Sequence, residues 1–254
     1  MVVEAPALTE DSLFGGKVVI HQQRDGYRFS IDAVLLAGLT RVKPGEKVID
    51  LGTGCGAAAL IMAAQTPGLE ITGVEIQEEL AELAERNVAV NSLSGRIAIV
   101  GMDFRKISER FSPESYDLVV SNPPYRKLDA GRTNPHRQRA IARHAICASV
   151  EDVAAAGKHL LPRGGRLAVI YPAARLDHLL ATVRQYGFRP KRLTVIYSSV
   201  ESPARLVHVE CRKGGGEELT VAPAFFIYGG RNEYSEAMRE LYRLRGGDLE
   251  GAPD

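Results

Sequence analysis

The tetrapeptide Asn122-Pro123-Pro124-Tyr125 is the segment of the sequence best suited to chemistry. Proline has a fixed φ and restricts the residue before it, so the Asn122 amide and the Pro123 carbonyl should be held in one direction. Two such oxygens can accept the N–H groups of a planar amino group and stabilise its nitrogen as it attacks an electrophile. Tyr125 can stack on the flat group and orient it. The alternative is that the prolines only end a strand.

A glycine-rich segment, Asp50-Leu51-Gly52-Thr53-Gly54-Cys55-Gly56, is suited to binding a nucleoside. Glycines permit a tight turn and let a ligand approach the backbone. Glu75 lies roughly 20 residues beyond them, where a carboxylate can accept hydrogen bonds from both hydroxyls of a ribose. Because Gly52, Gly54 and Ala57 also match the dinucleotide fingerprint, a nicotinamide or flavin cofactor is an alternative, as is a purely structural turn.

Short β-branched runs that alternate with amphipathic stretches predict a parallel sheet built from β-α-β units. Residues 189–197 and 205–211 have no helical pattern between them, which predicts an antiparallel hairpin at the sheet edge. Asn122 and the glycine turn would then follow strand ends, where open α/β sheets bind ligands. The other predicted strands are 47–51, 70–75, 96–100, 116–121 and 165–171, and the predicted helices are 57–65, 77–91, 149–161 and 175–186.

The regions outside this core have weaker patterns. Ser30 can cap a short helix at residues 31–39, with Asp32 in its first turn. We predict one domain with an N-terminal covering segment (1–45), a catalytic core (46–212), a C-terminal extension (213–245) and a frayed tail (246–254).

The composition of the 254 residues, 45% apolar and 25% charged, is typical of a globular domain. A net charge of +1 does not by itself indicate a nucleic-acid binder, so such a site must be a local patch. Residues 1–10 lack the pattern of a signal peptide and no apolar run is long enough for a membrane span, so we expect a cytoplasmic protein. Cys55, Cys147 and Cys211 lack disulfide or zinc spacing, which predicts small buried side chains and no metal site.

A basic loop, residues 126–144, follows the tetrapeptide. It contains six Lys or Arg residues and two histidines against the single acid Asp129. This charge suits a phosphate backbone, and the glycine, asparagine and proline content favours a segment that orders over a bound strand. The alternative is a solvated charged loop. The candidate RNA-binding residues are Arg126, Lys127, Arg132, Arg137, Arg139 and Arg143.

The spacing Asp50-x-Gly52-x-Gly54-x-Gly56 resembles the cofactor loop of class I S-adenosylmethionine methyltransferases. The resemblance implies that the loop, with Thr53, wraps the methionine half of S-adenosyl-L-methionine, that Glu75 holds the ribose and that Asp103 lies against the adenine. It also implies an α/β, Rossmann-like, doubly wound sheet of seven strands, mostly parallel with an antiparallel edge strand. Asn-Pro-Pro-Tyr after the fourth strand resembles amino-group methyltransferases and is not a feature of common dehydrogenases, which excludes the nicotinamide alternative.

Nearly the whole chain resembles the bacterial tRNA1(Val) adenine-37 N6-methyltransferases. The resemblance implies direct in-line methylation of the N6 of an adenine in RNA, with tRNA as the partner. It also implies that Phe29, Ser30 and Asp32 form part of a cofactor lid, for which a capped covering helix is an equal alternative. The segments that carry the resemblance are residues 23–36, 50–56, 122–125, 141–144 and 205–210.

Three alternatives to this function stay open. A glutamine-N5 methyltransferase of release factors would share Asn122, but such enzymes have a helical N-terminal domain, and the roughly 45 residues before the first strand are few for a separate domain. Guanine-N2 methyltransferases of ribosomal RNA resemble Asn-Pro-Pro-Phe more than Asn-Pro-Pro-Tyr. A non-catalytic RNA-binding module is the alternative from another class. The sequence does not indicate an oligomeric state.

Overall fold

The fold is seen in a computed structural model, which describes residues 8–24, 30–123, 148–230 and 233–243. An antiparallel hairpin comes first, formed by β1 (Leu8–Leu13) and β2 (Val18–Gln23). A large sheet with helices on both faces follows. The predicted frayed tail, residues 246–254, lies outside the described residues.

The central sheet contains nine strands within the described residues, in the order β10-β8-β9-β7-β6-β3-β4-β5, with β11 also paired to β8. Neighbouring strands are parallel except where β9 pairs with β7 and β8. The strands are β3 (Lys47–Leu51), β4 (Glu70–Glu75), β5 (Ile97–Gly101), β6 (Leu118–Ser121), β7 (Arg166–Pro172), β8 (Phe188–Tyr197), β9 (Ala204–Lys213), β10 (Thr220–Val221) and β11 (Phe225–Phe226). A small hairpin, β12 (Tyr228–Gly230) with β13 (Glu233–Tyr234), follows.

The helices connect these strands across both faces of the sheet. Two 3₁₀ segments, Phe104–Glu109 and Ala173–Arg175, follow β5 and β7. Within the described residues, no helix combines the length and apolar character needed to cross a lipid bilayer. The helices are α1 (Ile31–Leu39), α2 (Ala57–Gln65), α3 (Glu78–Val90), α4 (Val150–Leu160), α5 (Leu176–Gln185) and α6 (Glu236–Leu241).

The predicted fold class is confirmed. Strands β3 to β9 form the doubly wound, mostly parallel sheet of seven strands, and β8 and β9 form the predicted antiparallel hairpin. The structure adds one detail: the antiparallel strand, β9, lies one place inside the edge, because β8 returns outside it and runs parallel to the rest. The short strands β10 and β11 extend the sheet beyond β8.

Alternating side chains divide the core into two apolar layers. Successive residues of a strand point to opposite faces, so Val48 of β3 packs with the layer of α1, α2 and α3, while Ile49 and Leu51 pack with the layer of α4 and α5. Both faces are buried, which explains why the central strands are continuous apolar runs. Ser30 caps α1, as predicted, and Ser149 with Asp152 forms a capping box on α4.

The N-terminal hairpin is attached to α3 by two asparagine side chains. Asn91 accepts from Val19 N (2.8 Å) and donates to Val19 O (2.6 Å). Asn87 makes the same pair of bonds with His21, at 2.8 and 3.0 Å. The spacing matches because residues four apart share one face of a helix, while residues two apart on a strand point the same way.

Candidate active site

The carboxyl ends of four neighbouring parallel strands form the candidate site. Strands β5, β4, β3 and β6 lie side by side, and Leu51 at the end of β3 is in register with the last residue of β6. With about 4.8 Å between strands, this edge spans about 15 Å, a length suited to an extended nucleoside ligand. Along it the strand ends carry, in spatial order, Asp103, Glu75, Gly52 and Asn122.

The glycine turn after β3 needs the backbone freedom of glycine. Gly52, Gly54 and Gly56 have φ values of 76°, 59° and 85°, in the left-handed region that residues with a Cβ avoid. Gly56 caps α2, so the turn leads directly into a helix N-terminus. A Cβ placed on Gly52 would meet no atom within 4 Å, so the turn faces open space that a ligand can fill.

Glu75 connects β4 to the glycine turn. Its side chain is buried, with 5% of the residue exposed. One carboxylate oxygen accepts from Gly54 N at 2.9 Å, and the other accepts from Gln77 N at 2.9 Å. Gln77 Nε2 also donates to this second oxygen, at 3.4 Å. The oxygen bonded to Gly54 N therefore keeps a lone pair for one ribose hydroxyl, and the other oxygen could exchange its long contact for the second hydroxyl.

Asp50 is a buried carboxyl beneath the turn. It accepts a hydrogen bond from Thr53 Oγ at 2.7 Å, which fixes the turn from below. Burial, with a smaller contribution from the negative charge of Glu75, outweighs this hydrogen bond and raises the pKa of Asp50 to about 7. A cationic ligand above the turn would favour the ionised form of this carboxyl.

Asp103 follows β5 at the far end of the edge. It caps the 3₁₀ segment by accepting from Arg105 N at 2.9 Å and forms an ion pair with the Arg105 guanidinium at 2.6 Å. The hydrogen bonds from Arg105 lower the pKa of Asp103, so it is a carboxylate at neutral pH. Sequence reasoning placed Asp103 here but did not find its pairing with Arg105.

Asn122 and Pro123 follow β6 beside the glycine turn. The preceding residue, Ser121, is fully buried and donates to Leu51 O at 2.8 Å, which ties the end of β6 to the end of β3. Asn122 is half-buried and Pro123 is buried. The asparagine therefore lies at the rim of the edge, next to the place where the turn begins.

Several predicted site residues fall outside the described part of the chain. These are Phe29, Pro124, Tyr125 and the basic-loop residues Arg126, Lys127, Arg132, Arg137, Arg139 and Arg143. Ser30 and Asp32 are described, and Ser30 accepts from Asp32 N at 3.3 Å as the cap of α1. Their contact with a cofactor stays a prediction.

Asn87 contacts the glycine turn, and sequence reasoning did not find it. It is fully buried, and besides holding His21 its amide donates to Cys55 O at 2.9 Å, inside the glycine turn. The signal was present in the sequence: two asparagines four residues apart, Asn87 and Asn91, at the end of an amphipathic helix. Buried amides need partners, and such a pair can serve as a backbone substitute.

The two cysteines in the described part of the chain are buried thiols. Cys55 and Cys211 are buried, as predicted, and Cys147 lies outside the described residues. Burial raises the pKa of Cys55 to about 11 and that of Cys211 to about 12, so both are neutral thiols.

The chain belongs to the methyltransferase small domain family, whose model matches residues 31–183. Two curated relatives are tRNA1(Val) (adenine(37)-N6)-methyltransferases. The one from Bacteroides thetaiotaomicron is 31% identical, over 84% of this chain and 87% of its own. The one from Pedobacter heparinus is 29% identical, over 88% of this chain and 93% of its own.

A solved structure agrees with the fold. The crystal structure of a predicted O-methyltransferase from Agrobacterium tumefaciens has a TM-score of 0.69 and 23% identity, and the match covers 87% of this chain and all of that one. At this identity the likeness shows the fold alone. The prediction of an enzyme, an S-adenosylmethionine-dependent N-methyltransferase, is confirmed at the level of the family.

The edge fits S-adenosylmethionine, the cofactor of this enzyme class. The open space above Gly52 leaves room for the ligand, and Glu75 has acceptor capacity for its ribose. Asp50 is a buried carboxyl beneath the turn with a raised pKa, and Asp103 is a carboxylate at the far end of the edge that is paired with Arg105. When bound, the cofactor supplies a methyl group activated by a sulfonium.

Proposed function

We propose that this protein methylates the N6 amino group of an adenine in RNA, with a tRNA as the substrate. The observation that carries the proposal is the register of β3 and β6, which sets Asn122 directly beside the glycine turn. An amino group held at Asn122 would then be adjacent to a methyl donor bound over Gly52. The two curated relatives named as adenine-N6 methyltransferases of tRNA1(Val) support the acceptor and the RNA class.

In this mechanism the protein supplies geometry and hydrogen-bond acceptors. The Asn122 side-chain oxygen and the Pro123 carbonyl accept the two N–H groups of the adenine, which draws electron density onto N6 and favours a pyramidal nitrogen. Tyr125 stacks on the base and aligns N6 with the methyl group. The glycine turn and Glu75 would hold S-adenosylmethionine, which would supply its methyl group to the N6 lone pair and leave as the thioether. Asn122 and Pro123 would hold the amino group while one N6 proton is released to water.

The alternative acceptors share Asn122 and differ in what surrounds it. A guanine-N2 or glutamine-N5 amino group presents the same pair of N–H donors, so Asn122 alone cannot discriminate. The basic segment after the tetrapeptide, Arg126 to Arg143, favours a nucleic acid over a release factor. An RNA substrate of this class favours a cytoplasmic location.

The test is a single-turnover assay with labelled S-adenosylmethionine and total tRNA, followed by mass spectrometry of the nucleosides. We expect N6-methyladenosine as the product. Asn122→Ala should slow methyl transfer by on the order of 100-fold or more, because a preorganised acceptor is lost from the transition state. Asn122→Asp keeps an acceptor oxygen and should be less impaired. Cofactor binding should be unchanged in both variants.

Three outcomes would overturn the proposal. Methylation by Asn122→Ala at the parent rate would exclude the amino-transfer mechanism. Label on guanine, or on a release factor supplied in place of tRNA, would assign one of the alternative acceptors. Absence of transfer to any of these with tight RNA binding would favour the non-catalytic module.

A further inference from the structure

The edge of the sheet opposite the candidate active site carries a concentration of positive charge. Arg163 precedes β7, Arg189 and Lys191 lie near the start of β8, and Arg212 lies near the end of β9, which runs in the opposite direction. We call these four residues the amino-edge cations. Arg163, Lys191 and Arg212 line a shallow depression together with the glycine turn Gly214–Gly216.

Two of these cations are forced together by the sheet register. Arg189 lies directly opposite Arg212 on the antiparallel pair β8 and β9, and both are exposed. Like charges in directly opposite positions destabilise a sheet. An anion bound between Arg189 and Arg212 would offset this repulsion.

The amino-edge cations lack acidic partners in the described ranges. No ion pair there involves Arg163, Arg189, Lys191 or Arg212, although the exposed Glu217 and Glu218 follow the turn closely in sequence. The Lys191 side chain donates from Nζ to Gly216 O at 3.3 Å.

The adjacent Lys213 behaves differently. It pairs with Glu114 at 3.6 Å and donates to two carbonyls at the end of α4, Lys158 O at 2.8 Å and Leu161 O at 2.6 Å. Its charge is thus used within the fold, whereas the guanidinium groups of Arg163, Arg189 and Arg212 remain available to a ligand.

The glycine turn makes the depression accessible. A Cβ on Gly216 would meet no atom within 4 Å, whereas a Cβ on Gly214 would lie 3.4 Å from Arg163 Cγ and one on Gly215 would lie 3.6 Å from Arg189 Cβ. Because these three residues have no side chains, a bulky anion can approach the backbone between Arg163 and Arg189. A phosphate group, with several acceptor oxygens, suits guanidinium donors on either side.

We propose that the amino-edge cations bind backbone phosphates of the RNA substrate as a second contact surface, remote from the methyl-acceptor site. This inference rests on the proposed RNA substrate. The seven residues of β7 separate the two edges by about 20 Å, at about 3.3 Å per residue. Only an RNA long enough to extend past the acceptor site would reach this surface, so it would favour a structured RNA over a short hairpin.

The test compares two double variants that remove equal charge. Arg189→Gln with Arg212→Gln removes the opposed pair, and Lys17→Gln with Arg86→Gln removes two other exposed cations that form no ion pair among the described residues. RNA binding is measured by fluorescence anisotropy from low to high salt, with full-length tRNA and with a short hairpin that contains the target adenine. Urea unfolding checks that each variant is folded.

We expect the Arg189 and Arg212 variant to bind full-length tRNA on the order of tenfold more weakly, with a log–log salt slope flatter by about 1.5, since two phosphate contacts are lost. Its binding of the short hairpin and its kcat should match the parent, as should tRNA binding by the control variant. An unchanged salt slope, or equal losses with both RNAs, would overturn the second surface. Because binding is read without catalysis, this result is separate from a failure of the parent to methylate adenine.

Discussion

At the scale of single residues, Glu75 shows how one side chain can serve both fold and cofactor. It holds the amides of Gly54 and Gln77, and it stays buried while doing so. Glu75 ends β4 at the edge where a nucleoside would bind, and the oxygen bonded to Gly54 N keeps one lone pair for a hydroxyl donor. A structural role and a binding role are therefore compatible in the same carboxylate.

We expect Glu75→Ala to weaken S-adenosylmethionine binding by about 1–3 kcal/mol, because ribose hydroxyls lose a charged acceptor in a buried setting. The free energy of unfolding should also fall, since two backbone amides lose their partner. Glu70→Ala, at the exposed start of the same strand, is the control and should change neither quantity. Calorimetric titration measures the binding, and an unchanged dissociation constant in Glu75→Ala would remove this residue from the cofactor site.

The sequence predicted the backbone positions at the site better than its side-chain partners. Asn122, Glu75 and the glycines lie at or just after strand ends, which the alternation of apolar runs and turns predicts. The pairing of Asp103 with Arg105 depends on a rotamer, and the Asn87 bond to Cys55 O depends on how α3 packs. Neither is encoded in local spacing.

At the scale of elements, α3 links the N-terminal hairpin to the glycine turn. Among the described residues, the Asn91 side chain forms hydrogen bonds with the hairpin and with Asn87 O, whereas the Asn87 side chain forms them with the hairpin and with Cys55 O. The two residues thus differ in whether they bond to the glycine turn. They form a matched pair for testing whether the helix positions the turn.

Asn87→Ala and Asn91→Ala should each lower the free energy of unfolding by roughly 2–4 kcal/mol, because each leaves several backbone groups unpaired. Only Asn87→Ala should also weaken S-adenosylmethionine binding, by several-fold, since the Cys55 carbonyl is released. Urea unfolding and calorimetric titration measure the two effects. Equal cofactor affinities in the two variants would show that the turn holds its shape without this bond.

Element boundaries were most predictable where the sequence changes abruptly. Helix α2 begins directly after the last glycine of its turn, and β3, β4 and α1 begin and end at the predicted residues. The hairpin of β1 and β2 was predicted only as a covering segment. The free edge of β2 is bound by the side chains of Asn87 and Asn91, some seventy residues further along the chain. No local sequence pattern predicts a contact at that separation.

At the scale of the whole molecule, two buried titratable groups give stability opposite pH dependences. His208 is fully buried, and burial lowers its pKa to about 3. Thr40 Oγ donates to Leu36 O at 2.6 Å, so His208 Nε2 must donate to that hydroxyl, at 2.9 Å. This neutral histidine fastens the end of α1 to β9. Asp50, with its pKa raised to about 7, is the opposite case.

The signs follow from proton uptake. Below about pH 6.5 the unfolded chain binds a proton at His208, whereas the folded chain does not. The stability that neutral His208 contributes is therefore lost as the pH falls toward 3. Above about pH 4 the unfolded chain releases its proton at Asp50, whereas the folded chain keeps it. The stability that protonated Asp50 contributes is therefore lost as the pH rises toward 7.

The free energy of unfolding of Asp50→Asn, relative to the parent, should therefore rise when the pH is raised from 5 to 8. That of His208→Gln, relative to the parent, should rise when the pH is lowered from 8 to 5. Urea unfolding at both pH values measures these differences. If the difference in unfolding free energy between a variant and the parent is the same at both pH values, folding does not shift the pKa of the residue that was replaced.

The asparagine pair on α3 also bears on how separate copies of this chain behave toward each other. A strand edge with unpaired N–H and C=O groups is a template onto which a strand from another molecule can add. One edge of β2 is paired with β1. On the other edge, the side-chain amides of Asn91 and Asn87 bind the N–H and C=O groups of Val19 and His21. The helix thus blocks strand addition without contributing a strand of its own, and damage to this pair should lead to self-association at high concentration.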